Sequence, residues 1–295
     1  MGRDAADPPM NTAGALVREA AALLRAHGVA EPVRDAERLL GHVLGLDRAA
    51  LHGDPARPIS GTQDEQFRSL ARRRAAREPL QHLTGEQEFW SLSFRVTPDV
   101  LVPRPESEHL IEALLRLGLR PDPSLLDVGT GSGCLAIAAA REIPGALVVA
   151  TDIEAAALDV ARGNALRHGV SDRVTFLRGD LFAPLSGRRQ ERGFDVILCN
   201  PPYIPEAEMA GLEPEVRDHE PRRALTPGPD GLAVHRRLAA AALDWLRPGG
   251  TLLVEIGAGQ DEAARTLYPA GGGLDLTAIE PDLAGIPRVI VARAR

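Results

Sequence analysis

An asparagine, two prolines and a tyrosine follow the apolar segment Phe194–Cys199, which predicts a buried strand. The side-chain oxygen of Asn200 and the carbonyl of Pro201 can each accept one N–H. Pro201 and Pro202 hold this backbone stiffly, and Tyr203 can lie against a flat group and exclude water from it. The tetrapeptide is therefore suited to orienting a planar NH2 group, although two prolines can also simply turn the chain at the end of a strand.

A glycine-rich turn lies between the predicted strand Ser124–Val128 and the predicted helix Cys134–Glu142. The turn consists of Gly129, Thr130, Gly131, Ser132 and Gly133. Glycine lets the backbone turn tightly and lets a ligand approach main-chain N–H groups. The GxGxG spacing differs from the GxGxxG fingerprint of nicotinamide-binding proteins. It indicates a nucleotide-like ligand of another kind, or only a tight turn.

An acidic residue lies at the end of each of three predicted strands, the strand before this turn and the next two strands along the chain. The three residues are Asp127, Asp152 and Asp180. Asp152, which precedes Ile153, can accept hydrogen bonds from both hydroxyls of a ribose, and Asp180 can receive an adenine amino group. Leu181 or Phe182 would then lie against the adenine ring. Each acid alone can instead cap a helix, but the set favours a ligand that carries hydroxyls and a positive charge.

Together these residues resemble the cofactor site of class I S-adenosylmethionine-dependent methyltransferases. The resemblance implies that S-adenosyl-L-methionine binds at the glycine-rich turn, at the strand-end acids and beside Asn200. The tetrapeptide likewise resembles the catalytic motif of methyltransferases that act on adenine amino groups and glutamine amides. It implies that Asn200, Pro201, Pro202 and Tyr203 orient the NH2 toward the methyl group. No strong base is needed, because the product can lose its proton after the transfer.

From residue 124 onward, predicted strands alternate with helices, a pattern that is typical of a parallel sheet with right-handed crossovers. The predicted strands are Ser124–Val128, 147–151, Val174–Arg178, Phe194–Cys199, 251–256, 274–279 and 288–292. A helix is predicted over 231–246, and the last two strands are close enough to form an antiparallel hairpin. We predict an α/β fold, a seven-stranded and mostly parallel Rossmann-like methyltransferase sheet with an antiparallel last strand, plus a small N-terminal helical domain.

The chain before the sheet has its own organisation. Residues 1–11 predict a disordered tail, 12–78 a helical domain, 79–103 a β-hairpin linker, and 104–295 the methyltransferase domain. Thr12 and a Ser60–Gln63 capping box predict helix starts, and Gly28 and Gly45 predict helix ends. The linker contains a hairpin over 88–102 with Pro98-Asp99 as its turn signal.

The helical domain also carries a run of arginines, namely Arg72, Arg73, Arg74 and Arg77. Such a run predicts a solvated helix face. A contact with an acidic partner or with ribosomal RNA is the alternative.

Composition limits the possible functions. The 295 residues carry a formal net charge of −7, which disfavours a surface that tracks nucleic-acid phosphates. Cys134 and Cys199 lie far apart without metal-ligand spacing, which predicts a reducing compartment and no metal site. The sequence has neither an apolar run that spans a membrane nor the h-region of a secretory signal. We therefore expect a cytoplasmic protein that contacts neither membrane nor nucleic acid. We also expect a monomer, although composition does not determine the oligomeric state.

Over residues 12–293 the chain resembles the peptide chain release factor glutamine methyltransferases. The segments that carry this resemblance are 34–40, 72–74, 78–85, 88–90, 102–108 and 200–204. The resemblance implies methylation of the glutamine in the Gly-Gly-Gln loop of class I release factors, which act in translation termination. The product would be N(5)-methylglutamine. It further implies that the N-terminal helical domain recognises the release factor and that the Gly-Gly-Gln loop enters the catalytic pocket.

Some residues depart from the family pattern or have an open role. Leu181 stands where some relatives have tryptophan, and the polar segment 186–193 is interpreted as a lengthened surface turn. Arg104 and Glu106 either form an ion pair that holds the hairpin or line the substrate entrance, where Arg104 would contact substrate. Asp218 and His219 are interpreted as loop residues, and Glu213 and Glu255 have no assigned role.

Two other functions are compatible with parts of the sequence. An adenine-N6 methyltransferase of DNA or RNA shares the tetrapeptide, but it needs a basic groove and a route for a flipped base. A non-enzymatic binding module could keep the fold, but the glycine-rich turn and the tetrapeptide are both intact.

Overall fold

The computed structural model describes residues 11–187 and 193–295. The predicted tail, apart from Asn11, and most of the polar turn at 186–193 lie outside the described residues. The chain forms two compact units. The first contains the described part of residues 1–85 together with 213–219, and the second contains the described parts of 86–212 and 220–295. Within these described residues, no helix is both long and apolar enough to cross a membrane.

The first unit is helical. Its helices are α1 (Ala13–Ala26), α2 (Pro32–Leu44), α3 (Arg48–Gly53), α4 (Gly61–Ala75), α5 (Leu80–Thr84) and α9 (Pro214–His219). Thr12 caps α1 through the backbone N–H of Ala15, and Gly45 ends α2 with a φ of 65°. The predicted capping box opens α4, where Ser60 and Gln63 each bond the other's backbone. Local sequence signals therefore set these helix ends correctly.

Aliphatic side chains fill the core of the first unit. The largest buried residues are Leu16, Leu24, Leu39, Leu40, Ile59 and Phe67. Of the arginine run, Arg72 and Arg73 are exposed as predicted, whereas Arg74 is buried and Arg77 is half-buried. The prediction of one solvated arginine face is therefore wrong for Arg74 and Arg77, because acidic side chains of the same unit neutralise them.

The second unit is built on the predicted seven-stranded sheet. Its strands are β3 (Ser124–Val128), β4 (Leu147–Asp152), β5 (Val174–Arg178), β6 (Phe194–Cys199), β7 (Leu246–Glu255), β8 (Leu274–Pro281) and β9 (Pro287–Ala294). The strand order is β5-β4-β3-β6-β7-β9-β8. The first five strands in this order pair in parallel, and β9 is antiparallel to both of its neighbours. The fold class predicted from the sequence is thus confirmed.

Helices cover both faces of this sheet. They are α6 (Glu108–Arg116), α7 (Cys134–Glu142), α8 (Ala155–Arg167), α10 (Arg222–Leu225), α11 (Ala233–Ala241) and α12 (Asp261–Leu267). The core on one face contains α6 and α7, and the core on the other contains side chains of α11 and α12. The predicted helix 231–246 is shorter than expected and β7 is longer. Leu246 already pairs with Phe194, and a bulge in the β6–β7 pairing absorbs the segment before Thr251.

A separate two-stranded hairpin precedes the sheet. It consists of β1 (Glu86–Phe89) and β2 (Leu92–Arg95), and Trp90 and Ser91 form its turn. The prediction that Pro98-Asp99 turns this hairpin is wrong. Both turn residues have positive φ, 52° and 57°, which a two-residue hairpin turn requires and which usually selects Asn-Gly. Here hydrogen bonds from Trp90 to Glu108 and Glu142 hold the turn, so its sequence lacks the usual signal.

The segment after the tetrapeptide also differs from expectation. Asp218 and His219, predicted as loop residues, belong to the short helix α9. Residues 213–219 group with the first unit, although the residues on both sides of them in the chain belong to the second. The division between the units falls after residue 85, inside the predicted linker.

Candidate active site

A cavity of about 590 Å³ lies in the second unit, beyond the carboxyl ends of its parallel strands. Open parallel sheets bind ligands at this edge, and the volume is within the range of small-molecule sites. The site residues predicted from the sequence that line the cavity are Gly129, Gly131, Asp152, Ile153, Asp180, Leu181, Asn200 and Pro202. The glycine-rich turn and the tetrapeptide therefore face one cavity. They meet because β3 and β6 are neighbours, with Val128 paired to Cys199.

The glycine-rich turn is open on the side of the cavity. The backbone N–H groups of Gly129 and Thr130 both donate to the carbonyl of Thr151, which ties the turn to β4. A Cβ atom at Gly129 or Gly131 would meet nothing within 4 Å, so the space beside the turn is free for a ligand. Gly133 differs, because a Cβ there would lie 3.1 Å from the Cβ of Ala161. It permits helix packing and does not line the cavity.

Asp127 stabilises the glycine-rich turn without lining the cavity. Its Oδ2 accepts hydrogen bonds from the Thr130 hydroxyl at 2.6 Å and from the Ala136 backbone N–H at 3.2 Å. Complete burial raises the pKa of this carboxyl to about 7. Its Oδ1 is buried without a hydrogen-bond partner among the described residues, so it remains available as an acceptor. Asp127, Thr130 and Ser132 do not line the cavity.

Asp152 lies at the cavity wall. Its Oδ2 accepts from the backbone N–H of Gly131 at 2.8 Å, and its Oδ1 accepts from that of Glu154 at 2.9 Å. Burial raises its pKa, and these backbone hydrogen bonds oppose the rise. The carboxylate therefore connects the end of β4 to the glycine-rich turn, and each of its oxygens retains a lone pair for a further donor.

The third acid already has a protein partner. Arg237 of α11 donates from Nη2 to Oδ2 of Asp180 at 2.7 Å, and both residues line the cavity. Leu181 also lines it, with a left-handed φ of 49°. Phe182 instead packs in the core, where its ring stacks on Trp245 at a centroid distance of 6.2 Å. Of the two apolar residues considered for an adenine ring, only Leu181 is at the cavity.

The tetrapeptide is held by residues that the sequence did not connect to it. Asn200 donates from Nδ2 to the Ser107 hydroxyl at 2.8 Å, and Ser107 donates to Oε2 of Glu255 at 2.6 Å. The Tyr203 hydroxyl donates to Oε1 of the same carboxylate at 3.3 Å. Gln260 holds the Tyr203 carbonyl through Nε2 at 2.9 Å. Pro201 is buried, and neither it nor Tyr203 lines the cavity.

Glu255 is the most buried acid near the tetrapeptide. It ends β7, the neighbour of β6, and it is fully buried. Burial raises its pKa to about 7, while the hydrogen bonds from Ser107 and Tyr203 lower it. The sequence contained one signal for this position, an acid at the end of an apolar strand. Ser107 lies in the segment 102–108, which carries the family resemblance, but no sequence signal linked it to Asn200 or Glu255.

Arg104 has a different partner from the one predicted. Its Nη2 donates to Oε1 of Glu220 at 2.6 Å, so the predicted ion pair with Glu106 is wrong. Proximity in sequence favoured Glu106, but the fold brings the buried Glu220 to the guanidinium. Burial raises the pKa of Glu220, and Arg104 opposes this rise. Arg104 does not line the cavity.

The cavity suits one chemical class of ligand. Its wall offers an open glycine backbone and the carboxylates of Asp152, Glu154 and Asp180, whose acceptor oxygens fit a small molecule with hydroxyl and amino groups. Glu154 and Asp180 also pair with Arg223 and Arg237, which line the same cavity. The described ranges, 11–187 and 193–295, contain no group of His, Cys, Asp and Glu side chains arranged to hold a metal ion.

Each of the two units contains a segment that matches a known protein family. Residues 15–85 match the family described as PrmC N-terminal domain, and residues 106–212 match the family described as Methyltransferase small domain. The catalytic domain of hMettl16, solved in complex with MAT2A 3′UTR hairpin 1, has a similar fold, with a TM-score of 0.55 and 16% identity. That match covers 76% of this chain and 80% of the solved chain. The second unit is a methyltransferase domain.

Curated relatives extend over nearly the whole chain. The release factor glutamine methyltransferase of Geobacter sulfurreducens is 44% identical over 90% of this chain and 91% of its own length. The protein of the same name from Cereibacter sphaeroides is 45% identical over 96% of this chain and 99% of its own length. Identity at this level across both units shows a common family. The chain is an enzyme that belongs to the release factor glutamine methyltransferases.

Proposed function

We propose that this enzyme transfers a methyl group from S-adenosyl-L-methionine to the side-chain amide nitrogen of the glutamine in the Gly-Gly-Gln motif of class I release factors. The products are N(5)-methylglutamine and S-adenosylhomocysteine. One observation carries the proposal. Asn200 and the glycine-rich turn line one cavity, at the ends of neighbouring parallel strands.

The residues available for the cofactor agree with its chemistry. Gly129 and Gly131 leave room for a ligand beside their backbone, and Asp152 offers acceptors for ribose hydroxyls. Asp180 keeps Oδ1 for an amino group while Arg237 occupies Oδ2, and Leu181 offers an apolar surface to a ring. When bound, S-adenosyl-L-methionine would supply a methyl group on a positively charged sulfur.

The chain orients the target amide and does not activate it with a base. An amide nitrogen is a poor nucleophile because its lone pair is delocalised, so alignment of the NH2 with the methyl group is the main contribution. The Asn200 Oδ1 accepts one amide N–H group, and we propose that the Pro201 carbonyl, between the cavity-lining Asn200 and Pro202, accepts the other. Tyr203 does not line the cavity, and its hydroxyl donates to Glu255. Glu255 is fully buried and accepts hydrogen bonds from Ser107 and Tyr203, so we do not propose it as a base.

A protein substrate is favoured over a nucleic acid. The relatives from Geobacter sulfurreducens and Cereibacter sphaeroides are named release factor glutamine methyltransferases, and residues 15–85 match the PrmC N-terminal domain. We propose that this first unit recognises the release factor. The net charge of −7 is unfavourable for a surface that follows phosphates.

Mass spectrometry of the Gly-Gly-Gln peptide tests this function. Purified class I release factor is incubated with the enzyme and S-adenosyl-L-methionine, and we expect a mass gain of one methyl group on the glutamine. The Asn200→Ala variant is the matched control and leaves the peptide unmodified. Transfer of labelled methyl to DNA or RNA, without transfer to the release factor, would reverse the choice of substrate.

A further inference from the structure

The side chain of Asn200 is the first member of a buried hydrogen-bond chain. Asn200 Nδ2 donates to Ser107 Oγ at 2.8 Å, and Ser107 Oγ donates to Glu255 Oε2 at 2.6 Å. Ser107 is 2% exposed and Glu255 is fully buried, so water does not compete for these groups. The three residues come from the turn before α6, from the end of β6 and from the end of β7.

The negative charge of Glu255 determines which group donates and which accepts in each of these hydrogen bonds. A carboxylate only accepts hydrogen bonds, so the single Ser107 proton must point to Glu255. The Ser107 oxygen can then only accept, and Asn200 must present its NH2 to it. An amide has its oxygen on the other side, and Asn200 lines the cavity. Oδ1 is thereby left for a group bound in the cavity.

We propose that Ser107 and Glu255 are positioning residues that fix the orientation of the Asn200 amide, with Nδ2 toward Ser107 and Oδ1 toward the target NH2. This inference rests on the proposed function. An Asn200 amide turned by 180° would present its own NH2 to the target NH2, and two donors repel. Selection of one orientation therefore separates a productive site from an unproductive one.

The orientation of the Asn200 amide should depend on pH, because it depends on the protonation state of Glu255. The groups that face Glu255 are Tyr203, Arg288 and Glu106, and its charge also acts on the thiols of Cys199 and Cys134. Burial raises the pKa of Glu255 to about 7. A protonated Glu255 can donate to Ser107 and release the Ser107 proton toward Asn200 Oδ1. The productive orientation therefore belongs to the carboxylate form, and the transfer rate rises with pH through this range.

Nuclear magnetic resonance with selective ¹⁵N-asparagine labelling tests the orientation without any substrate. The asparagines of the chain are Asn11, Asn164 and Asn200, and the Asn200→Ala variant assigns the Asn200 signals. Asn11 is exposed, whereas the amide of the buried Asn164 donates to the carbonyls of Arg95 and Ser132. The Asn11 amide donates to Asp64 at an exposed position, so these two residues are internal references for a solvent-exposed and a buried hydrogen-bonded side-chain amide.

We expect the Asn200 side-chain NH2 to exchange with water about tenfold more slowly than that of Asn11. Ser107→Ala should remove this protection and leave Asn164 unchanged, and Ser107→Thr should keep it. Unchanged protection of Asn200 in Ser107→Ala overturns the proposal. If Ser107→Ala also alters the Asn164 signals, Ser107→Cys decides, because a thiol is close in size to the hydroxyl but is only a weak acceptor. Unchanged Asn200 protection in that variant likewise overturns the proposal.

Methyl-transfer kinetics with the release factor as substrate provide a second test of the inference. We expect Ser107→Ala to lower kcat about tenfold at a nearly constant KM and cofactor affinity, and Ser107→Thr to restore most of the loss. Glu255→Gln should remove the rise of rate with pH near 7. If Ser107 only stabilised the fold, Ser107→Ala would lower the melting temperature without a selective loss of kcat at constant KM. If the wild-type enzyme does not methylate the release factor although its Asn200 amide is protected, the proposed function is refuted. If the wild-type enzyme is active and Ser107→Ala keeps its full kcat, this inference is refuted.

Discussion

The guanidinium of Arg77 binds the carboxylate of Glu215 through two hydrogen bonds, from Nε to Oε1 at 2.8 Å and from Nη2 to Oε2 at 2.6 Å, although 138 positions separate them in the chain. Arg74 adds a contact to Glu215 at 2.8 Å and binds Asp35 at 2.8 Å. These residues all belong to the first unit. Arg74 and Arg77 of the arginine run thus form an internal ion-pair cluster that holds α9, and α9 follows the Asn200–Tyr203 tetrapeptide in the chain.

Replacement of Glu215 by alanine should destabilise the first unit. Burial alone would raise the pKa of Glu215, but the bonds from Arg77 and Arg74 lower it below its usual value. The variant leaves the 8% exposed Arg74 side chain with Asp35 as its remaining acidic partner. We expect a loss of about 2 kcal/mol in the free energy of unfolding, measured by urea denaturation.

Glu213→Ala is the matched control for this cluster. The Glu213 side chain also pairs with Arg77, but it is 77% exposed. Its removal should change the free energy of unfolding by less than about 0.5 kcal/mol. A loss in Glu215→Ala as small as that expected for Glu213→Ala would show that the cluster does not stabilise the unit. Because the pKa of Glu215 is lowered, its contribution is complete above the usual carboxyl pKa of 4.5 and is lost as the pH falls below it.

Removal of the Asn200 side chain should separate catalysis from cofactor binding. Asn200→Ala deletes the proposed amide acceptor while the glycine-rich turn and Asp152 stay in place. We expect methyl transfer to fall by at least about a hundredfold, since orientation is the main contribution to rate. Isothermal titration calorimetry should give a cofactor dissociation constant close to that of the wild type. A large loss of cofactor affinity in this variant contradicts the assigned role.

Removal of the Asp152 carboxylate should have the opposite effect. Asp152 lies at the cavity and also accepts a backbone hydrogen bond from Gly131, so Asp152→Ala removes a ligand acceptor and loosens the turn. We expect cofactor affinity to fall at least about tenfold by calorimetry. Asp159→Ala, at an exposed position of α8 where Asp159 pairs with Arg162, is the control with unchanged affinity. Unchanged affinity in Asp152→Ala would place the ribose site elsewhere.

The free energy of unfolding should also depend on Glu255. Burial raises its pKa to about 7 in the folded state, so between the usual value of 4.5 and about 7 the folded state binds more protons than the unfolded state. Stability must therefore fall as the pH rises through this interval, by at most about 1.4 kcal/mol per pH unit for this group. Urea unfolding at several pH values should show a shallower fall in Glu255→Gln.

This dependence has the opposite sign to that of the transfer rate. The charged carboxylate lowers stability but sets the productive orientation of Asn200, so activity should rise over the interval in which stability falls. Parallel changes of the two quantities with pH would indicate that the loss of activity at low pH is caused by unfolding.

Local patterns in the sequence determined the elements of this protein. Alternation of apolar strands with helices predicted the sheet, and Thr12, Gly45 and the Ser60–Gln63 pair set helix ends correctly. The glycine-rich turn and Asn200 could be assigned to one edge of the sheet, because parallel strands present their carboxyl ends together. Each of these inferences depends on residues only a few positions apart, or on a rule that holds for the whole fold class.

Only the tertiary structure decided the partners of individual polar groups. It paired Arg104 with Glu220 and not with Glu106, held the hairpin turn at Trp90, and joined Ser107 to Glu255. A charged or hydroxyl group bonds whichever complementary group the fold brings within about 3 Å, and separation along the chain does not encode that distance. The sequence therefore determined which elements form, and the packing of those elements determined which side chains act together.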